Sequence, residues 1–190
     1  MKALVAPLIA LVVLAIVAAA DWAHYTPLLP PRVASHIGPS GQVDRWADKA
    51  EFLEGSLGWV KTVPPLFLGL GILSALAIRF LPEWAVNLPN KGYWLATPER
   101  RTEAAILSLS LFLWFLFALL AMLFFGVMHS MFVATLHPDG RGDYLTLPVV
   151  AGGLILMAVR AVLFIRRLNN PPRAGRGAAR RSARATPHDS

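Results

Sequence analysis

One stretch of this chain carries no charge over more residues than a membrane helix needs. No Asp, Glu, Lys or Arg lies between Glu103 and Asp139, and residues 104–128 are almost entirely apolar. An apolar helix crosses a hydrocarbon core of about 30 Å with about 20 residues. Because water cannot solvate such a surface on every face, the stretch predicts a membrane-spanning helix.

Three other segments complete a four-span pattern. Residues 3–22, 62–81 and 145–165 are predominantly apolar and carry no charge apart from Asp21, Arg79 and Arg160. The chain is 56% hydrophobic and only 15% charged, whereas a soluble domain needs more charge to cover its surface. We therefore predict an all-α integral membrane protein with four transmembrane helices in residues 1–167. Residues 168–190 are predicted to be a disordered basic cytoplasmic tail.

Basic residues decide the predicted orientation. They follow the fourth span closely, at Arg166, Arg167, Arg173, Arg176, Arg180, Arg181 and Arg184, and recur in the 82–103 loop. Basic flanks stay on the cytoplasmic side of a membrane. We therefore predict an N-in, C-in protein of the bacterial plasma (inner) membrane. The tail is predicted to lie over anionic lipid and not to bind nucleic acid.

The first span has two readings. Lys2, an apolar run and Ala18–Ala20 resemble a cleavable secretory signal. The run is longer than the usual signal core of about 7–15 residues, which favours an uncleaved span. Either reading leaves the following loop outside the membrane.

The loop between spans one and two predicts a small extracytoplasmic cap over residues 25–58. Val33–Ile37 and Gln42–Arg45 flank the turn residues Gly38–Gly41, a pattern that indicates a hairpin. The next apolar side chains are spaced as on one face of a short helix, at Trp46, Ala50, Leu53 and Leu57. We expect this hairpin-plus-helix cap to precede span two, with a kinked entry at Pro64–Pro65.

The cytoplasmic loop contains a helix start before span three. Thr97 can cap free backbone amides, Pro98 suits the first helical position, and Glu99 favours the positive end of the helix dipole.

The outer loop also carries residues that resemble a family signature. They are Leu29, Pro30, Arg32, Val33, His36, Gly41, Asp44, Trp46 and Lys49. The pattern, called here the outer signature, is similar to that of a bacterial membrane domain of unknown function. That domain also forms the N-terminal domain of immunity proteins against a sporulation-delaying toxin. Ile37 and Val43 depart from it, since an aromatic residue and a proline are usual there.

A second similarity lies in the cytoplasmic loop. The matching residues, called here the loop signature, are Asn87, Leu88, Pro89, Asn90, Lys91, Tyr93, Trp94, Leu95, Pro98, Glu99, Arg100 and Arg101. They resemble a motif of small membrane proteins in the same family. The resemblance covers about residues 25–101 and implies the membrane fold. It implies no chemistry, because the family has no established activity.

Histidines are the remaining candidates for chemistry. His24, His36, His129 and His137 all fall on the predicted outer side, with Asp139 and Asp143 nearby. Imidazole and carboxylate could bind Zn²⁺ or Cu²⁺, and His36 could sense pH. None of these pairs has a short helical spacing, so we favour structural roles. For His36 we expect a buried imidazole that ties the hairpin to the bundle.

Arg160 is a charge at membrane depth, about six residues from the predicted cytoplasmic end of span four. It can snorkel to the interface, or contact a lipid headgroup or a partner. The spans carry no carboxylate at membrane depth to pair with it, which counts against ion-coupled transport.

These observations predict a non-enzymatic membrane protein whose outer cap recognises a peptide, an envelope partner or lipid. The resemblance implies an immunity or envelope role. No catalytic, cofactor-binding or metal residue is assigned. One alternative is a metal-handling protein or small envelope enzyme that uses His36, His129 and His137. Another is an accessory subunit of a larger membrane complex, placed by the third span.

Overall fold

The computed structural model describes residues 2–137, 139 and 145–171, and most of the predicted tail lies outside them. The helices are α1 (Lys2–Tyr25), α2 (Lys49–Phe80), α3 (Lys91–Trp94), α4 (Pro98–Ala121), α5 (His129–Leu136) and α6 (Thr146–Asn169). The strands are β1 (Arg32–Ile37) and β2 (Val43–Asp48). A π-helical segment, Met122–Met128, joins α4 to α5 in one continuous helical stretch.

Four helical stretches are long and apolar enough to cross a membrane, which confirms that part of the prediction. They are Lys2–Leu28, Lys49–Phe80, Pro98–Leu136 and Thr146–Asn169. Large apolar side chains such as Ile16, Leu73 and Leu147 remain exposed on their outer faces. Lipid chains solvate such faces, whereas water does not.

The stretch that begins with α4 is central, because α1, α2 and α6 all contact it. A Cβ atom added to Gly71 of α2 would lie 2.9 Å from the Cβ of Phe112, so the two helices approach closely at this point. The hydroxyls of Ser74 and Ser108 also hydrogen-bond across the same contact at 2.9 Å. We call the end with β1 and β2 the hairpin end, and the end with residues 81–97 the loop end.

α2 differs from the predicted pair of a surface helix followed by span two. It is a single helix of 32 residues, and the Asp48 side chain caps it by accepting from the Ala50 N–H. Pro64 and Pro65 lie inside this helix and do not end it. Each proline lacks only its own backbone N–H, and its fixed φ is compatible with a helix. An apolar surrounding favours keeping the other backbone hydrogen bonds of the helix. Trp46 was predicted on the helix face, but it lies in β2 and is exposed.

The fourth helix also ends later than predicted. Leu168 and Asn169, assigned to the tail from sequence, are the last residues of α6. The Leu168 side chain is fully buried among Ile78, Trp94 and their neighbours. The helix therefore continues until this apolar contact is made. Arg166 and Arg167 lie in its last turn, where positive charge favours the helix dipole.

Candidate functional site: the hairpin junction

The predicted turn closes the hairpin. The N–H of Gly38 donates to the carbonyl of Gln42 at 2.8 Å, and Gly41 has a φ of 78°. Glycine adopts this left-handed conformation without the steric cost that other residues incur. Gly41 of the outer signature therefore has a structural role.

The expectation for His36 is wrong. Its Nδ1 lies 2.5 Å from Oδ1 of Asp44 within the hairpin, and the two side chains are 52% and 53% exposed. The strand register shifts between Ala34 and His36. A bulge of this kind breaks the alternation of strand side chains, so Ala34 is buried and His36 is not. His36 therefore stabilises the hairpin itself and does not attach it to the bundle.

β1 is attached to α5 by burial and by a side-chain hydrogen bond. Val33 and Ala34 are both fully buried. The N–H of Ala34 donates to Oγ1 of Thr135 at 2.9 Å, and that hydroxyl donates to the carbonyl of Met131 at 2.6 Å. Thr135 thus satisfies a backbone donor that would otherwise lie on a sheet edge.

Lys49 fixes the base of the hairpin. Its backbone N–H donates to the carbonyl of Pro31 at 2.8 Å, and its ammonium donates to the carbonyl of Leu29 at 2.9 Å. Pro30 and Trp46, two further positions of the outer signature, are exposed.

Aromatic rings fill the space beneath β1. The ring of Phe132 lies 5.7 Å from Tyr25, 5.9 Å from Trp22 and 6.1 Å from Phe52, measured between centroids. These distances suit favourable aromatic pairing. The cluster joins α1, α2 and α5 at the hairpin end.

A second His–Asp pair lies beside this cluster. Nδ1 of His129 is 2.8 Å from Oδ1 of Asp21, and the two side chains are only 15% and 18% exposed. The pair links the end of α1 to the start of α5. The two residues are 108 positions apart, so no local sequence pattern indicated their contact.

Two clefts flank the π-helical segment at this junction. The first, called the junction cleft, has a volume of about 270 Å³ between β1, α2 and the segment, and Ser35, Ser56 and Trp59 are among its lining residues. The Oγ of Ser35 is buried and has no hydrogen-bond partner among the described residues. A buried hydroxyl without a partner is rare and destabilising.

The second cleft, called the turn cleft, has a volume of about 700 Å³ between the hairpin turn and the start of α6. Ile37, Pro39 and Leu147 are among the residues that line it. Val127 and Met131 line both clefts. π-Helical segments are rare and often lie at functional sites. The arrangement can hold apolar side chains in two neighbouring depressions, and the buried Ser35 hydroxyl lies beside one of them.

The histidines do not form a metal site in the described part of the chain. No three His, Asp or Glu side chains there are grouped as a metal ion requires. His36 and His129 belong to the two separate pairs, the His24 ring packs on Tyr25 at 4.9 Å, and His137 is exposed. The predicted partner Asp143 lies outside the described residues.

The loop signature lies at the opposite end of the bundle and binds helix carbonyls. Asn90 has a φ of 51°, and its Nδ2 donates to the carbonyls of Leu168 and Asn169 at 3.1 and 2.9 Å. The indole Nε1 of the fully buried Trp94 also donates to the Leu168 carbonyl, at 2.9 Å. The last carbonyls of a helix lack partners within it. These two side chains therefore cap α6.

The start of α4 continues this pattern. The Thr97 side chain accepts from the Arg100 N–H, as predicted. The Arg100 guanidinium lies 4.1 Å from the centre of the Tyr93 ring. Arg101 donates to the carbonyls of Leu81 and Leu95 at 2.8 and 3.1 Å. Leu88 and Leu95 of the loop signature are buried in the core beside Trp94, and its remaining positions are exposed: Asn87, Pro89, Lys91, Pro98 and Glu99.

Sequence reasoning missed Ser35, Thr135, Asp21 and the π-helical segment. The only local indication that β1 packs on a helix was the pair of adjacent small residues Ala34 and Ser35, because small side chains let a strand approach a helix closely. The other three depend on contacts between distant parts of the chain.

Comparison with known proteins gives a match only in the part of the chain that forms the hairpin end. No curated protein and no solved structure matches the chain. The matched region of the family comparison begins in α1, contains the whole hairpin and ends in the first turns of α2. Residues 7–53 are thus similar to a family described as a domain of unknown function, DUF1648.

Proposed function

We propose that this multi-pass membrane protein recognises a peptide at its hairpin end and catalyses no reaction. The observation that carries the proposal is the unpartnered Ser35 hydroxyl, which is buried beside the junction cleft. Leaving such a group unsatisfied costs about 1–3 kcal/mol. A backbone carbonyl or amide of a bound peptide would supply the missing hydrogen bond once the side chains that cover this hydroxyl move aside.

The shape of the junction supports a peptide as the occupant. The two clefts share a wall formed by Val127 and Met131, so two side chains of one extended segment can enter them together. Methionine adapts to differently shaped apolar partners. The His36–Asp44 pair stabilises the hairpin above the turn cleft without filling that cleft.

The charges of the described residues support an N-in, C-in orientation in a bacterial plasma membrane. Seven basic residues lie at the loop end (Lys2, Arg79, Lys91, Arg100, Arg101, Arg166 and Arg167), and four lie toward the hairpin end (Arg32, Arg45, Lys49 and Lys61). The acidic residues run the other way, with Asp21, Asp44, Asp48, Glu51 and Glu54 at the hairpin end and Glu83, Glu99 and Glu103 at the loop end. Positive flanks favour the cytoplasm, so the hairpin would face outward. A reporter fused after residue 141 should report outside and one fused after residue 171 inside; the reverse result would contradict the orientation.

Photocrosslinking tests the recognition proposal. A photoreactive amino acid replaces Leu147, which lines the turn cleft and is 77% exposed. We expect a discrete peptide adduct on mass spectrometry of cell membranes. Val127→Trp should abolish the adduct, because the added indole would project from the wall that the two clefts share and would obstruct the entry of peptide side chains.

The matched control is Leu73→Trp, which adds the same side chain to an exposed position of α2 outside both clefts. It should leave the adduct unchanged. Lipid adducts alone, or an adduct that survives Val127→Trp, would contradict peptide recognition. A large protein captured in fixed stoichiometry would instead favour the accessory-subunit alternative.

The resemblance to immunity proteins points to a secreted toxic peptide as the partner. Sensitive cells that express this chain should survive the sporulation-delaying toxin. The Val127→Trp variant should not protect them, while Leu73→Trp should. If the peptide adduct forms but protection is absent, recognition stands and the immunity role is rejected.

A further inference from the structure

A third cleft, at the loop end, is lined by basic side chains. It has a volume of about 300 Å³ between α1, α4 and α6, and Lys2, Arg160 and Arg167 line it together with Ser110 and Trp114. No described residue that lines it is acidic. We call it the basic cleft.

Arg160 is the deepest of its charges. It lies nine residues before Asn169, the end of α6, or about 13 Å along the helix axis. Its guanidinium carbon is 3.7 Å from the centre of the Trp114 ring. Such a contact stabilises a cation, but it supplies no acceptor for the planar N–H donors of the guanidinium. Among the described ion pairs, none involves Arg160.

The other two cations lie at the rim of the basic cleft. The Ser110 hydroxyl donates to the carbonyl of Ala3 at 2.8 Å, which fixes the start of α1, and with it Lys2, against α4. Arg167 makes an ion pair with Glu103 at 3.0 Å through one nitrogen, and both side chains are about half exposed. The charge that lines the cleft is therefore positive overall.

Most of the remaining lining of the cleft is apolar. Its apolar walls are formed by Ala6, Leu107, Leu111, Leu163 and Phe164. Positive charge at the rim and at depth, with apolar walls between helices, matches an amphiphile with an anionic head. A charge at membrane depth is also costly unless an opposite charge accompanies it.

We propose that the basic cleft binds an anionic phospholipid. Its phosphate bonds the Arg160 guanidinium, with Lys2 and Arg167 contributing charge, and an acyl chain follows the apolar walls. Arginine suits this role because its planar fork can donate two parallel hydrogen bonds to a phosphate. The cleft lies at the end that the proposed orientation places in the cytoplasmic leaflet, where anionic lipids attract basic segments. Lipid binding here does not depend on peptide recognition at the hairpin end.

Native mass spectrometry of the detergent-purified chain tests this site. The protein is mixed with equal amounts of phosphatidylglycerol and phosphatidylcholine. We expect preferential retention of phosphatidylglycerol. Arg160→Gln should lower the phosphatidylglycerol-to-phosphatidylcholine ratio by about tenfold, as expected for the loss of a charge-assisted hydrogen bond. Arg160→Lys should lower it less, because the charge remains and the fork is lost.

The matched control is Arg166→Gln, which removes one charge from the last turn of the same helix at a position that does not line the cleft. It should change the ratio by less than about twofold. Equal retention of both lipids by the native chain, or an equal loss in Arg160→Gln and Arg166→Gln, would overturn the proposal. A separate competition experiment adds inorganic phosphate. If phosphate displaces phosphatidylglycerol at equal concentration, the site binds free phosphate and not lipid. A thermal unfolding curve of each variant verifies that it is folded.

Discussion

The two ends of the bundle use their polar side chains differently. At the loop end, Asn90, Trp94 and Arg101 all donate to carbonyls at helix ends. At the hairpin end, the Ser35 hydroxyl has no partner in the described chain, and the His36–Asp44 pair is half exposed. Helix ends require capping wherever they are buried. The fold therefore explains these three positions of the loop signature, whereas the hairpin end keeps one buried hydroxyl, that of Ser35, for which the described chain supplies no partner.

The largest expected effect tests whether the loop signature stabilises the end of α6. Trp94→Ala removes a fully buried indole and its hydrogen bond to the Leu168 carbonyl. We expect it to lower the free energy of unfolding in mixed micelles by about 3–5 kcal/mol, through the lost burial and the cavity. Trp84 is 84% exposed at the same end, so Trp84→Ala serves as the control and should change stability by less than about 0.5 kcal/mol.

Equal losses in the two tryptophan variants would mean that the loop signature does not stabilise α6 through Trp94. The peptide adduct at Leu147 provides the second half of this test. Whatever Trp94→Ala protein remains folded should still form the adduct, because Trp94 lies at the opposite end from both clefts.

The sequence predicted the four spanning helices because hydropathy alone decides which segments lipid can solvate. It also predicted the Thr97 cap and the turn at Gly41, since both depend on residues within a few positions of one another. These are the features in which local chemistry and the final structure agree.

The sequence did not reveal the continuity of α2 or the position of His36. Pro64 and Pro65 usually indicate a helix break, but a helix in an apolar surrounding gains more from its remaining backbone hydrogen bonds. The bulge that exposes His36 arises because Ala34 packs against α5, about a hundred residues away. Long-range packing of this kind leaves no periodic signal in the strand.

Substitution of a buried serine at the hairpin end should have an effect of intermediate size. Ser35→Ala removes a buried hydroxyl that has no described partner. We expect the free energy of unfolding to rise by up to about 1 kcal/mol, because an unsatisfied polar group is lost. The yield of the peptide adduct at Leu147 should fall, because the proposed ligand loses its hydrogen bond. A gain in stability with a loss of binding is the signature of a functional residue.

Ser108→Ala is the matched control for this substitution. Ser108 is also buried, but its hydroxyl bonds Ser74 at 2.9 Å. Its removal should cost about 0.5–1.5 kcal/mol and leave the adduct yield unchanged. If both variants are destabilised to the same extent, the Ser35 hydroxyl is satisfied in the native protein and the recognition proposal loses its main support.

The smallest expected effect compares one exposed ion pair at each end. Asp44→Asn weakens the contact with His36, and Glu103→Gln weakens the one with Arg167. Exposed pairs contribute about 0–1 kcal/mol, so neither variant should change the free energy of unfolding by more than that amount. Only Asp44→Asn should reduce the yield of the peptide adduct at Leu147, because Asp44 stabilises the hairpin and the turn of the hairpin lines the turn cleft. An equal reduction by Glu103→Gln would show that the adduct reports the fold of the whole bundle and not recognition at the hairpin end.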